Sequence, residues 1–195
     1  MANTIPATSS AVCNLPCQVF EAGFPGWLKA GFLLSANGMP TDTIRIESAT
    51  IEDLPELTDL VMSLMAIEAD FKPDAEKQRH GLQLILEQPS RGRIFVIRND
   101  HKVLGMVNLL FTISTAEGGF VILMEDVIIR HEHRGQGFGT RLVNHVKEFA
   151  DKKDFKRITL LTDRVSQESQ RFFLRNGFVL SHMVPMRLML AHETL

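Results

Sequence analysis

Apolar and polar residues alternate through Thr43-Ile44-Arg45-Ile46-Glu47-Ser48-Ala49-Thr50. That period of two is the signature of a half-buried strand. From Ile51 to Met65 the spacing lengthens to that of a helix, with Thr50 placed to cap it and Glu52 and Asp53 in its first turn. A second helical pattern spans about 74–87 and stops at Gln88-Pro89, because a residue before proline is driven out of the helical region. RIFVIRND predicts a strand, Asn99-Asp100-His101 a turn, and KVLGMVNLLFTIST the returning arm of a hairpin. Gly118-Gly119 then turns the chain into FVILMEDVIIR, which is apolar at most positions and so predicts an interior strand. After the stretch HEHRGQGFGTRL comes a helix with Leu142, Val143, Val146, Phe149 and Ala150 on one face. RITLLTD predicts a strand, SQESQRFFLRN a helix, and FVLSHMVPMRLML a closing pair of extended segments.

The predicted order is strand, two helices, three strands, helix, strand, helix, then a strand or two. It is neither a strict βαβ alternation nor a run of strands followed by helices. It predicts an α/β (α+β) domain with a mixed central sheet and helices on both faces. The pattern fails over residues 1–40, whose charges are Glu21 and Lys29 alone and which Pro6, Pro16, Pro25 and Pro40 interrupt. This predicts a poorly ordered or peripheral extension, with a short turn near Phe24–Leu28, ahead of a domain over 41–195. Met39 is a candidate natural start.

Composition narrows the class. The 195 residues suffice for one domain with a sizeable core and are 45% hydrophobic and 23% charged, an ordinary globular balance. A net charge of −2 gives no general attraction to nucleic acid or to an anionic membrane. Cys13 and Cys17 form C-x-x-x-C without clustered histidine. That is a poor zinc signature and reads as two bystander thiols, a disulfide being the other reading. No run approaches the roughly 18 apolar residues a spanning helix needs, so the default location is the cytoplasm.

The stretch with specific chemistry is His131–Leu142. Gly135, Gly137 and Gly139 lie between an interior strand and an amphipathic helix. Glycines permit positive φ, and the free N–H groups of a first helical turn then face an anion. A P-loop needs Gly-Lys-Ser/Thr, and Gly139-Thr140-Arg141 does not supply it. A dinucleotide fingerprint counted from Gly135 puts Thr140 where its last glycine belongs, and the loop comes too late in the chain to open a βαβ unit. What remains is R-x-x-G-x-G, Arg134 to Gly139, which resembles the coenzyme A pyrophosphate loop of the GNAT superfamily of N-acetyltransferases. MEDVIIRHEHRGQGFGTRLV looks like that family's central strand, loop and helix, and SQESQRFFLRNGFV like its later segment. The resemblance covers residues 43 to about 190. The Met-Glu-Asp triplet is similar to the branches that acetylate polyamines and glucosamine phosphate.

The resemblance implies the GNAT fold, acetyl-CoA as cosubstrate with no metal, and transfer to a primary amine in a ternary complex. By position, backbone groups of Val127, Ile128 and Ile129 would pair with the pantetheine arm. Arg134, Gly135, Gln136, Gly137, Phe138, Gly139 and Thr140 would wrap the pyrophosphate. Ser166 stands where the family often has an asparagine near the cofactor, and Phe173 would pack beside the thioester. A small-molecule amine is the favoured acceptor, with a protein N-terminus or lysine as the alternative. A homodimer is implied by the habit of the family.

Amine acetylation needs a base for the ammonium, a donor for the carbonyl oxygen and a leaving thiolate. Glu125 and Asp126 are the candidate bases. On a regular strand they point to opposite faces, so only one serves, and burial would raise its pKa. Glu125 is favoured, acting directly or through a water. The departure from the family lies at Phe173, where many members carry a tyrosine as proton donor. The sequence contains no tyrosine, so a water or Ser166 would have to substitute, or the domain binds acetyl-CoA without catalysis. His131 and His133 read as a solvated loop rather than metal ligands. Glu68, Asp70, Asp74 and Glu76 flank the junction of the first two helices, where acids would suit a cationic acceptor or form a solvated surface. The methionines of the C-terminal segment, Met183, Met186 and Met189, read as core edge or subunit contact.

Overall fold

The computed structural model describes residues 43–68 and 71–190. The predicted extension over 1–40, Cys13, Cys17, Met39, the turn near Phe24 and Asp70 all lie outside the described residues.

Strand β1 is Arg45–Ser48. Beyond it the Thr50 N–H donates to the Asp53 carboxylate at 2.9 Å, and Ile51–Asp53 forms a single 3-10 turn. Helix α1, Leu54–Met65, starts later than Thr50 suggested, with Pro55 in its first turn, the position where a missing N–H costs nothing. Helix α2 is Ala75–Glu87. Strands β2 (Gly92–Arg98), β3 (Val103–Ser114) and β4 (Gly119–Ile129) form an antiparallel meander with β1 on its outer edge. Helix α3, Phe138–Lys152, crosses over to β5, Ile158–Leu160, which is parallel to β4. Helix α4 is Gln167–Arg175. The sheet order is β1-β2-β3-β4-β5.

The sheet is buried on both faces, and the alternation of β2 shows why. Ile94 and Val96 pack with Leu54, Leu57, Leu60 and Val61 of α1 and Leu82 of α2. Phe95 and Ile97 pack on the other face with Leu142, Val146 and Ala150 of α3. Glycine is required where β3 meets β4: a Cβ on Gly105 would lie 2.5 Å from the Ile128 carbonyl oxygen.

Two predicted elements differ. RITLLTD yields only the three residues of β5, which pair with Ile122, Leu123 and Met124 of β4, and the rest has no ladder partner. The predicted closing strands are not formed: no strand follows α4 among the described residues. Val179, Leu180, Met183, Val184, Met186 and Leu188 are largely exposed there. Strand-favouring side chains express that preference only when a neighbouring strand and a buried face exist, and Pro185 removes a ladder donor from the middle of the run.

Candidate active site

The site is organised by an irregularity in β4. Leu109 faces Met124 and Asn108 faces Glu125, after which the register jumps so that Met106 faces Ile128 and Gly105 faces Ile129. Asp126 and Val127 together oppose Val107, and Asp126 adopts φ 49°. This is a β-bulge, and it reverses the alternation of the strand. Before it, Ile122 and Met124 pack on the α3 face; after it, Ile128 packs on the α1 face. On the opposite edge β5 ends at Leu160, beside Met124. From Glu125 to Ile129, β4 therefore has no strand against that edge among the described residues, and this stretch includes Val127, Ile128 and Ile129.

The bulge corrects the expectation that Glu125 and Asp126 point to opposite faces. At positive φ Asp126 does not continue the pleat. Asn108, the cross-strand neighbour of Glu125, donates from Nδ2 to Asp126 Oδ2 at 3.4 Å, and cross-strand neighbours share a face. The two carboxyls are close enough to feel each other. Burial raises the Glu125 pKa, the Asp126 charge raises it further, Arg187 opposes the rise and Glu68 adds to it. Burial raises Asp126 as well, against the hydrogen bond from Asn108. Both carboxyls are thus shifted toward the range of a useful base.

The far end of β4 is held firmly. Arg130 Nε donates to the Val103 carbonyl at 2.6 Å and its Nη2 to Glu56 at 3.1 Å, while Glu56 also accepts the Val103 N–H at 3.0 Å. One carboxylate from α1 therefore joins the start of β3 to the exit of β4, where the glycine loop begins. His131–His133 forms a single 3-10 turn. Arg134 Nε donates back to the Ile129 carbonyl at 3.1 Å. Gly135 and Gly137 have φ of 74° and 79°, with open space where a Cβ would stand. Gly137 occupies the N-cap of α3 and no side chain caps that helix; its first turn carries no acid. Backbone N–H groups and a helix dipole thus face the loop, a donor set that fits a diphosphate, while Arg141 Nη2 donates to the Ile44 carbonyl at 3.2 Å. Gln136 folds onto the Glu132 carbonyl at 3.4 Å. The Arg141 guanidinium carbon lies 5.8 Å from the Phe138 ring centroid. Gly139 has a different task from its two neighbours: a Cβ there would lie 3.1 Å from Phe172 Cζ, so glycine lets α4 pack on the loop.

Helix α4 supplies the remaining wall. Ser166 is its N-cap, accepting the Ser169 N–H at 3.3 Å and pairing with the Ser169 hydroxyl at 2.8 Å. Its hydroxyl already serves the helix. Phe173 is half-buried, edge-on to Phe172 and Phe178 at 5.1 and 5.8 Å.

The acids of the α1–α2 junction separate. Glu68 lies within the field of Glu125. Asp74 caps α2 by accepting the Lys77 N–H at 3.2 Å, and that bond with the Lys77 charge lowers its pKa. Two residues escaped the sequence reading. Asn108 was signalled by a single amide inside the apolar run of KVLGMVNLLF, and Arg187 by a single cation inside MVPMRLML. Among the described residues no group of three His, Cys, Asp or Glu is arranged to hold a metal ion, and no helix is long and apolar enough to cross a membrane.

Comparison with known proteins agrees with this geometry. The chain is 26% identical over 144 residues to the aminoalkylphosphonate N-acetyltransferase of Salmonella typhimurium strain LT2, covering 74% of this chain and 89% of that protein. Its fold matches a possible acetyltransferase from Clostridium difficile 630, with TM-score 0.70 at 17% identity over 76% of this chain and 99% of the other. It also matches an aminoglycoside acetyltransferase from an uncultured soil metagenomic sample, solved with sisomicin, with TM-score 0.63 at 20% identity over 76% and 97% of the two chains. The sequence pattern of the acetyltransferase (GNAT) family matches residues 60–178, more than half of the chain. With the bulged central strand, the glycine loop and the mixed sheet, this match means that the chain belongs to the acetyltransferase (GNAT) family and is an N-acetyltransferase.

Proposed function

We propose that this protein uses acetyl-CoA to acetylate a primary amine of a small molecule, by direct attack in a ternary complex. The observation that carries the reading is one juxtaposition. The uncapped N-terminus of α3 stands behind Gly135 and Gly137, one strand-end away from a bulge bearing two carboxyls of raised pKa. The loop from Arg134 to Thr140 would hold the pyrophosphate, and the open edge of Val127, Ile128 and Ile129 the pantetheine arm. Phe173 would line the thioester end, with Ser166 close by. Acetyl-CoA, when bound, supplies an activated acetyl group.

The residues of the chain then do three things. Glu125 takes the proton of the acceptor ammonium, directly or through a water; Asp126 is the second candidate and already raises the Glu125 pKa. A backbone N–H of the bulged strand stabilises the developing oxyanion. The phenyl ring of Phe173 cannot donate a proton, so the thiolate leaves unassisted or with a water. A thiol of pKa near 8.5 tolerates this. A small acceptor is supported by the relatives, whose names specify an aminoalkylphosphonate and an aminoglycoside. The exposed apolar run after α4 supports a homodimer.

The test has two stages. Acetyl-CoA at a hundred times its Kd should stabilise the fold by about 2.7 kcal/mol. Free-thiol release is then followed over a panel of amines. Stabilisation without thiol release from any amine would remove the catalytic role, and no stabilisation would remove cofactor binding as well.

A further inference from the structure

Two acids stand side by side on the bulge, and Asn108 treats them differently. In the ladder Asn108 lies between Ile94 of β2 and Glu125 of β4, on the face of the sheet that α1 and α2 cover. Ile94 offers the amide no polar group, and the amide turns toward β4, where Nδ2 donates to Asp126 Oδ2 at 3.4 Å. That bond goes to Asp126 although Glu125 is the residue directly across the ladder. Asn108 is 3% exposed, and the other end of its amide, Oδ1, is buried without a partner among the described residues. Its neighbours along β3, Met106, Val107 and Leu109, are buried and apolar. An apolar side chain of that size would leave no unmatched oxygen in the core. What the amide supplies, and an apolar residue cannot, is a donor for Asp126.

The consequence is an order of ionisation. Adjacent carboxyls repel once both are charged, and the one that receives a hydrogen bond gives up its proton first. The bond from Asn108 favours the charged Asp126, and the Asp126 charge in turn keeps Glu125 protonated to higher pH. Arg187 and Glu68 also act on Glu125, in opposite senses, and both remain when Asn108 is changed. We propose that Asn108 is a positioning residue for the transfer: it keeps Asp126 charged and out of the proton exchange, so that Glu125 takes the ammonium proton. This rests on the acetyl-transfer reading above and gives the two acids of its site different tasks.

The test is the pH profile of kcat/KM for thiol release, taken with an amine that the wild-type protein acetylates. Asn108→Leu keeps the size of the side chain and removes the donor. Asp126 should then hold its proton longest, and Glu125 should ionise beside a neutral neighbour. The acidic limb therefore moves to lower pH. The plateau kcat falls about three- to tenfold, because a less basic carboxylate accepts a proton less readily. KM for the amine and for acetyl-CoA should change by less than about twofold. Asp126→Asn should move the limb the same way with Asn108 untouched, since it removes the same charge. In the Asp126→Asn background, Asn108→Leu should move it no further. An acetyl-CoA thermal shift equal to wild type shows that each variant is folded. If Asn108→Leu does not fold, Asn108→Ser, whose hydroxyl is one bond shorter than the amide, takes its place. A limb that stays where it was, or that moves equally in the Asp126→Asn background, overturns the proposal. So does a limb that vanishes with Asp126→Asn. A wild-type protein that acetylates no amine removes the acetyl-transfer reading, and this one falls with it.

Discussion

The side-chain amide of Asn108 on β3 donates to the carboxylate of Asp126 on β4, Nδ2 to Oδ2, at 3.4 Å. Asn108 is only 3% exposed, and its Oδ1 has no hydrogen-bond partner among the described residues. A buried amide and a mostly buried carboxyl thus meet at the one residue of β4 with left-handed φ. The bulge and its acid are stabilised by each other's position: the turned backbone brings the carboxyl to Asn108, and Asn108 tempers the cost of burying it.

That arrangement has a sign in the pH dependence of stability. The pKa of Asp126 is raised in the folded chain by burial. Between its unfolded value, about 3.9, and the raised folded value, the folded state holds more protons than the unfolded one. Stability therefore falls as pH rises through that window and levels off above it. Asp126→Asn removes this titration, and asparagine tolerates positive φ. The variant should match wild type near pH 4 and exceed it near pH 8 in urea denaturation. A variant less stable at pH 8 than at pH 4, relative to wild type, would contradict the burial argument.

Glu125→Gln should lower kcat by about 10²- to 10⁴-fold, the usual worth of a general base, and leave acetyl-CoA affinity unchanged. The Glu125 pKa is raised mainly by burial, so the acidic limb of kcat/KM should lie above the ordinary carboxylate range. Activity rises with pH through that limb as the base loses its proton. The limb should vanish in Glu125→Gln. If it vanishes in Asp126→Asn instead, the base is Asp126.

The three glycines of the loop should separate by mechanism. Gly135 and Gly137 are needed for φ of 74° and 79°, a conformation that costs an L-residue about 1–2 kcal/mol. Alanine at either should weaken acetyl-CoA binding, read as a smaller thermal shift on ligand addition. Gly139→Ala should instead lower the melting temperature of the free protein, because its Cβ would stand 3.1 Å from Phe172 Cζ. Equal effects at all three positions would mean that the loop has one requirement rather than two.

Much of this was legible in the chain. The end of α2 was carried by Gln88-Pro89, and the glycine loop by three glycines between an apolar strand and an amphipathic helix; Thr50 marked only the 3-10 turn ahead of α1. The bulge was not legible, because MEDVII has no glycine or proline to announce it, and a period-two reading assigns Glu125 and Asp126 to opposite faces. Only the pairing with β3 shows the extra residue. The terminal run failed for the opposite reason: its apolar composition advertises strands, but strand formation depends on a partner that local sequence does not contain. Arg187 could be noticed in that run yet not placed, since its neighbour Phe71 is distant along the chain.

Phe173 offers the last prediction, a gain rather than a loss. It sits half-buried between Phe172 and Phe178, in the position where the family often has a tyrosine, in a chain that has none. Phe173→Tyr adds one hydroxyl. If its para carbon faces the thioester end of the cleft, the hydroxyl can protonate the leaving thiolate. The transfer is uphill in the resting state, since a phenol has pKa near 10 and a thiol near 8.5. The expected rise in kcat is therefore below about tenfold, at the weak end of acid catalysis, and it should fade as pH approaches 10. If the para carbon faces the core, the hydroxyl has no partner, and burying it costs about 1–3 kcal/mol. The melting temperature then drops with kcat unmoved. Measuring both in one variant decides whether Phe173 borders the reacting atoms or only fills the space behind them.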